Sequence, residues 1–225
     1  MHDLCVVFDI DDTLYLEADY VCSGFEAVDA WAAQWLGFPD FAVHCIELFR
    51  AGCRGRIFDA VLRPCGRATP EVISALVELY RAHRPRIQMA PDAAAALAEI
   101  RVRWPIAALS DGPVVSQSRK CEALGLSSLG CPIILTDLLG AAFRKPDPTA
   151  FQHLEASVPA RHFVYVADNP LKDFTAPSQL GWTTVRVRRS GGLHCSRGNE
   201  LVTPDIELPD CSNLPAALSR LFPRQ

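Results

Sequence analysis

No two cysteines in this chain form a C-x-x-C pair, although nine of them are scattered from Cys5 to Cys211. That absence argues against a zinc site, and an odd count at irregular spacing argues against a disulfide framework. Reduced thiols are the expected state, several of them filling core as in a cytoplasmic protein. Long apolar runs are missing too. The first run, Leu4 to Phe8, is far too short for a secretory signal. Nothing approaches the roughly 20 apolar residues that a membrane-spanning helix needs. Basic charge is also in short supply: the net charge is −4, whereas domains that bind nucleic acid through bulk charge are usually basic. The expectation is a soluble, cytoplasmic protein with neither a membrane nor a nucleic acid as partner, its oligomeric state not legible. A small anionic ligand stays open, because a pocket can be positive on an acidic protein.

The 225 residues, 49% of them apolar, are enough to bury a substantial core. Short apolar runs recur at Leu4–Phe8, Ile106–Leu109, Ile133–Leu135, Phe163–Ala167 and Thr184–Val187. Helical patterns alternate with them at Asp92–Arg101, Val114–Leu124, Pro148–Ala156 and Phe174–Leu180. This alternation predicts an α/β fold, a Rossmann-like parallel sheet flanked by helices. Ligands of such sheets sit beyond the carboxyl ends of the strands. Asp9, Ser110, Asp111 and Asp168 all follow the last apolar residues of a run.

From about Leu16 to Gln88 the alternation stops. Val21, Phe25, Val28, Ala32 and Trp35 recur at helical spacing before Pro39. Val72, Leu76 and Leu79 behind Pro70 predict a second helix, with shorter ones over 43–50 and 56–62. The chain is thus expected to divide into a core, 1–15 with 89–225, and an all-helical cap, 16–88, inserted after the first strand and over the polar strand ends. After Val187, "RRSGGLHCSRGNE" predicts a polar surface loop, followed by a short extended piece and a closing helix.

The stretch "VVFDIDDTLY" puts Asp9 and Asp11 on the same side of a strand continuation. Carboxylates that close favour a cation, and oxygen ligands favour Mg²⁺. One carboxylate, ionised at neutral pH, can attack an electrophile without an activating base. A second, with a raised pKa, can protonate a leaving group and later activate water. An acidic turn or helix cap is the alternative, and Asp12 is assigned such a structural role.

Three further segments follow in order: "IAALSDG" with Ser110, "RKPDPTAF" with Lys145, and "VYVADNPLKD" with Asp168 and Asp173. With "DIDDTL" they resemble the four motifs of the haloacid dehalogenase superfamily, most of whose members are Mg²⁺-dependent phosphatases. The resemblance implies a role for each residue. Asp9 would be the nucleophile and place one oxygen on Mg²⁺. Asp11 would be the acid/base, with its backbone carbonyl on the metal. Asp168 would be the third protein ligand, and Asp173 would orient water or Lys145. Ser110, with the backbone N–H groups of Asp111 and Gly112, would hold phosphoryl oxygens. Lys145 would bind the same phosphate and offset its repulsion from Asp9, about 4 kcal/mol for unit charges 4 Å apart at an effective dielectric of 20.

The implied reaction is in-line transfer to Asp9 and hydrolysis of the aspartyl-phosphate. The implied substrate is a small phosphorylated metabolite of the sugar phosphate or nucleoside monophosphate class. The helical insertion matches the family's first cap type, with Tyr15, Glu17, Arg54 and Arg56 as candidate specificity contacts. Ala167 stands where the family often has Gly. Asp11 argues against dehalogenation. Phosphonate cleavage is disfavoured by Asp11 and by the absence of lysine from 16–88. A phosphomutase of the same superfamily and a non-catalytic scaffold are the alternatives.

Overall fold

The computed structural model describes residues 2–196 and 201–223. Six strands form one sheet: β1 (His2–Phe8), β2 (Ile106–Ser110), β3 (Ile133–Leu135), β4 (Ala160–Ala167), β5 (Thr183–Val187) and β6 (Ile206–Leu208). The order across the sheet is β3-β2-β1-β4-β5-β6, and every pairing is parallel. The chain is an α/β protein of Rossmann-like architecture. Its five predicted strands are all present, and β6 is the short extended piece expected near the C-terminus.

Sequence explains why β1 is central. Leu4 to Phe8 are all buried, as a strand covered on both faces requires. Its register sets Phe8 opposite both Ala108 of β2 and Val166 of β4, so the three strand ends are level. Asp9 N donates to Val166 O, fixing the first residue past the strand. The strand order reverses direction at β1 and β4, where doubly wound sheets open a crevice.

Alternate residues build one face of the core. Cys5 and Val7 of β1, Ala107 and Leu109 of β2, and Phe163 and Tyr165 of β4 join Phe151 and Trp182 in a single apolar cluster. The Phe151 ring meets Tyr165 and Trp182 edge-on, and Phe163 stacks on Trp182. Within this part of the chain lie α5 (Pro91–Arg103), α6 (Val114–Ala123), α7 (Thr149–Ser157), α8 (Thr175–Gln179) and α9 (Leu214–Leu221). No cysteine of the described residues is in a disulfide. Burial pushes the Cys5 and Cys211 thiols up to about 12, so they stay protonated and inert.

The chain forms two compact units, Met1–Glu17 with Gln88–Gln225, and Ala18–Ile87. The second is all-helical: α1 (Glu17–Leu36), α2 (Phe41–Arg50), α3 (Ile57–Leu62) and α4 (Pro70–Ala82). Thr69 caps α4, accepting from Val72 N, and Pro70 takes the first helical position, where its missing N–H costs nothing. The core of this unit is aromatic, with Phe25, Phe41, Phe58 and Tyr80 in mutual ring contact. Trp35 departs from the spacing argument: it sits in the last turn of α1 and is 67% exposed. No helix of the described residues is long and apolar enough to cross a membrane.

Gly24 lets α1 and α4 approach, because a Cβ there would run into the Tyr80 ring. Gly24→Ala is expected to destabilise the helical unit by about 1–3 kcal/mol despite alanine's better helix propensity. Chemical denaturation of the variant beside wild type checks this, and a stabilised variant would contradict the packing.

Candidate active site

The polar residues past β1, β2 and β4 come together where the level strand ends place them. Lys145 is the hub. Its Nζ lies 2.7 Å from Asp9 Oδ1 and 2.7 Å from Asp173 Oδ1, and donates to Tyr165 Oη at 2.9 Å. The Lys145 side chain is entirely buried. Burial alone would lower its pKa, but Asp173 and Asp9 raise it well above the ordinary lysine value. The two aspartates thus favour its charged form. Asp9 is raised as well: burial, outweighing Lys145, pushes it up to about 6.

Carboxylate oxygens of Asp9, Asp168 and Asp173 lie within 4.8 Å of one another, all three buried. Asp173 Oδ2 accepts from Asn169 N, and its Oδ1 pairs with Lys145. Asp168 has no ion pair of its own among the described residues. Burial, then Asp173 and Asp9, push its carboxyl well above the usual range. A buried carboxylate lacking a counter-charge beside two others is the electrostatic signature of a site for a cation. All-oxygen donors suit a hard divalent ion. The residues present fit Mg²⁺.

The Asp11 side chain faces elsewhere. Both its oxygens meet Lys120 Nζ, at 2.7 and 2.8 Å, and it accepts a hydrogen bond from the Tyr15 hydroxyl. Burial would raise its pKa, but Lys120 and Tyr15 together hold it below the usual range. A second carboxylate acting as acid calls for a raised pKa; here Asp9 is raised, because burial outweighs Lys145, and Asp11 is lowered, because Lys120 and the Tyr15 hydroxyl together outweigh burial. Glu17, beside Asp11 and Lys120, is pushed up to about 7, mainly by burial.

Ser110 Oγ donates to Gln117 Oε1 at 3.1 Å. The Asp111 carboxylate is committed to Thr136 Oγ1, Lys145 N and Lys172 Nζ. Tyr15 is buried against Asp11. Arg54 and Arg56 have partners within the helical unit: Arg54 donates to Phe49 O and Cys53 O and lies over the Phe49 ring, while Arg56 pairs with Asp59 at the surface.

Sequence reasoning missed Gln117, Lys120, Lys172 and Tyr165. One signal was available. The chain has only three lysines, at 120, 145 and 172, against nineteen arginines, and each lysine pairs with a site aspartate.

The loop after β5 also differs from the expected polar surface loop. Arg189 is buried, makes a two-pronged ion pair with Asp92 and donates to Thr13 O. Leu193 N donates to Asp12 Oδ2, while Glu17 N donates to Asp12 Oδ1. Arg186, fully buried, donates to the carbonyls of Asp168, His194 and Ser196. The loop braces the turn carrying Asp11 and the end of β4. Its final residues, 197–200, lie outside the described residues.

A family model, the haloacid dehalogenase-like hydrolases, matches residues 4–181. The chain belongs to this family. As a haloacid dehalogenase-like hydrolase it is an enzyme, and its relatives include phosphatases. A glyceraldehyde 3-phosphate phosphatase of Methanopyrus kandleri is 28% identical over 218 residues, 90% of this chain and 91% of that protein. A phosphoserine phosphatase of Thermus thermophilus is 30% identical over 198 residues, 87% of this chain and 70% of that protein. Solved structures share the fold. A magnesium-bound hydrolase of this type from Bacillus subtilis superposes over all of both chains with a TM-score of 0.70 at 13% identity. A 2-haloacid dehalogenase from Pseudomonas syringae covers 98% of this chain, and is itself covered completely, with a TM-score of 0.68 at 22% identity.

Two stability outcomes follow from the buried pairs. Lys145→Met leaves Asp9 and Asp173 without their shared cation and is expected to cost about 3–5 kcal/mol in urea unfolding. Asp92 is held below the usual range, burial being outweighed by hydrogen bonds from Arg189 and Cys211 N. A carboxyl depressed on folding stabilises above its unfolded value of about 3.9 and loses that contribution as pH falls through the folded value. The gap in unfolding free energy between wild type and Asp92→Asn should therefore be larger at pH 7 than at pH 3. A gap independent of pH would contradict the pair.

Proposed function

We propose that this enzyme is a Mg²⁺-dependent phosphatase acting on a small phosphorylated metabolite through an aspartyl-phosphate on Asp9. The observation that carries the reading is the buried Lys145 bridging Asp9 and Asp173 beside Asp168, whose carboxylate lacks an ion pair among the described residues. Asp9, Asp168 and the Asp11 carbonyl would hold Mg²⁺, which when bound would supply positive charge to offset the phosphate and the aspartates.

The chain's own residues do the rest. Lys145 holds Asp9 Oδ1 and would offset the repulsion between that carboxylate and the incoming phosphate. An Asp9 oxygen attacks phosphorus, and the bond to the leaving oxygen breaks with its electron pair. That oxygen takes a proton from the Asp11 carboxyl. Water then attacks the aspartyl-phosphate, gives a proton to Asp11, and Asp9 recovers its electron pair as inorganic phosphate departs. Ser110 and the backbone N–H groups after it would receive phosphoryl oxygens. Catalysis is chiefly positioning and charge compensation.

Substrate choice is read from class. The two relatives are named for three-carbon monophosphates, which puts such metabolites, with other sugar phosphates and nucleoside monophosphates, first in a screen. Ranking by kcat/KM identifies the substrate.

Purified protein is expected to release phosphate from p-nitrophenyl phosphate with Mg²⁺, to stop in EDTA, and to recover when Mg²⁺ is restored in excess. Asp9→Asn should lose at least about 10³-fold of this activity. Persistent turnover in Asp9→Asn would remove the nucleophile from the scheme.

A further inference from the structure

Gln117 of α6 is buried, lies outside the four motifs, and meets the turn after β2 at three consecutive residues. Its Nε2 donates to Asp111 O at 2.8 Å, and its Oε1 accepts from Ser110 Oγ at 3.1 Å. Gly112 packs against the same amide. A Cβ there would stand 2.9 Å from Gln117 Nε2, and its φ of +127° is one that glycine adopts without strain. Asp11 Oδ2, at 3.4 Å, is a more distant acceptor. Gln117 N donates to Pro113 O, so the side chain starts from a fixed point in the first turns of the helix.

The two ends of the amide settle one another. A backbone carbonyl only accepts, so the atom facing Asp111 O is the nitrogen and the atom facing Ser110 is the oxygen. Ser110 is therefore the donor in its pair. Holding the Asp111 carbonyl has a second effect. In a trans peptide the C=O and the following N–H point in opposite directions, so a carbonyl held toward Gln117 sends the Gly112 N–H away from it. One buried side chain thus sets both the hydroxyl and a backbone N–H that the phosphatase reading assigns to phosphoryl oxygens.

We propose that Gln117 is a positioning residue for the phosphoryl group of the substrate, holding Ser110 and the Asp111–Gly112 peptide in the arrangement that receives its oxygens; this rests on the phosphatase reading above. When phosphate enters, the Ser110 hydrogen turns from Gln117 to a phosphoryl oxygen, and the bond from Gln117 to Asp111 O is kept. The contribution is to binding rather than to bond breaking. The non-bridging oxygens stay on phosphorus throughout the transfer, so a loosened turn weakens every phosphate-bearing state alike. Inorganic phosphate needs the same donors and is held in the same way.

Steady-state kinetics with p-nitrophenyl phosphate and Mg²⁺, with inorganic phosphate added as inhibitor, test this on wild type, Gln117→Met, Gln117→Asn and Asp9→Asn. Methionine matches glutamine in length and makes neither hydrogen bond, while asparagine keeps the amide but is one methylene short of both partners. Two neutral hydrogen bonds are worth about fivefold to a hundredfold in affinity. Each variant is expected to raise KM and the inhibition constant for phosphate together, at least about fivefold, with kcat within about threefold of wild type. Retained kcat also shows that the variant folds; should Gln117→Met not fold, Gln117→Asn decides alone. An inhibition constant unchanged from wild type, or a kcat that falls as far as kcat/KM, overturns the role of Gln117 and leaves the phosphatase reading standing. A wild type that releases no p-nitrophenol, or an Asp9→Asn that still turns over, overturns that reading and the proposal with it.

Discussion

Repulsion among buried carboxylates is the constraint around which this molecule is organised. Asp9, Asp168 and Asp173 sit closer together than solvent-free anions tolerate, and one lysine is placed to join two of them. At an effective dielectric of 20, each pair about 4 Å apart costs about 4 kcal/mol. Lys145 offsets this directly for Asp9 and Asp173, while for Asp168 its effect is outweighed by burial and by the two neighbouring acids. The imbalance is local, and it is what gives the site an appetite for a further cation. Removing the acids would relieve the strain and also remove the chemistry.

The sheet makes such crowding possible. Because β1 lies between β2 and β4 with its end level with theirs, residues far apart in sequence reach the same edge without long side chains. Lys145 reaches Asp9 across 136 positions of sequence and is fixed on the way by its own backbone N–H, which donates to Asp111. Tyr165 contributes from within β4, its ring in the apolar cluster and its hydroxyl on Lys145. Core packing and site geometry are thus one structure: the Phe151–Tyr165 contact that fills the core also steadies the hub of the charge network.

Strand-end aspartates were legible because two signals coincide at them, an apolar run that must be a strand and a polar residue where the run stops. Lys145 was legible only through its motif, since a lone lysine before prolines looks like solvated surface. Lys120 had neither signal. It lies inside a helix whose polar spacing is ordinary, and its burial arises from Asp11, a partner more than a hundred positions away. Arg189 was misread for the same reason. In sequence it stands among arginine, serine and glycine, the composition of a surface loop, and only the fold brings Asp92 and Thr13 O to it. Trp35 shows the converse limit, since periodicity gives a helix face and does not say where along the helix packing ends.

The division of labour between the two basic residue types follows from their chemistry. Arginine, with a planar fork of donors, appears where backbone or carboxylate geometry must be fixed: Arg189 on Asp92 and Thr13 O, Arg186 on three carbonyls, Arg144 on both oxygens of Asp137. Lysine, a compact charge on a flexible stem, is kept for Asp9, Asp11, Asp111 and Asp173. A nucleophile or proton carrier must exchange partners during a turnover, and a two-pronged arginine would hold both its oxygens in place. A lysine supplies the same unit charge through donors that rotate, so the carboxylate is stabilised without being locked. The brace around the site is rigid where nothing has to move, and the site itself is neutralised by the one cation that permits movement.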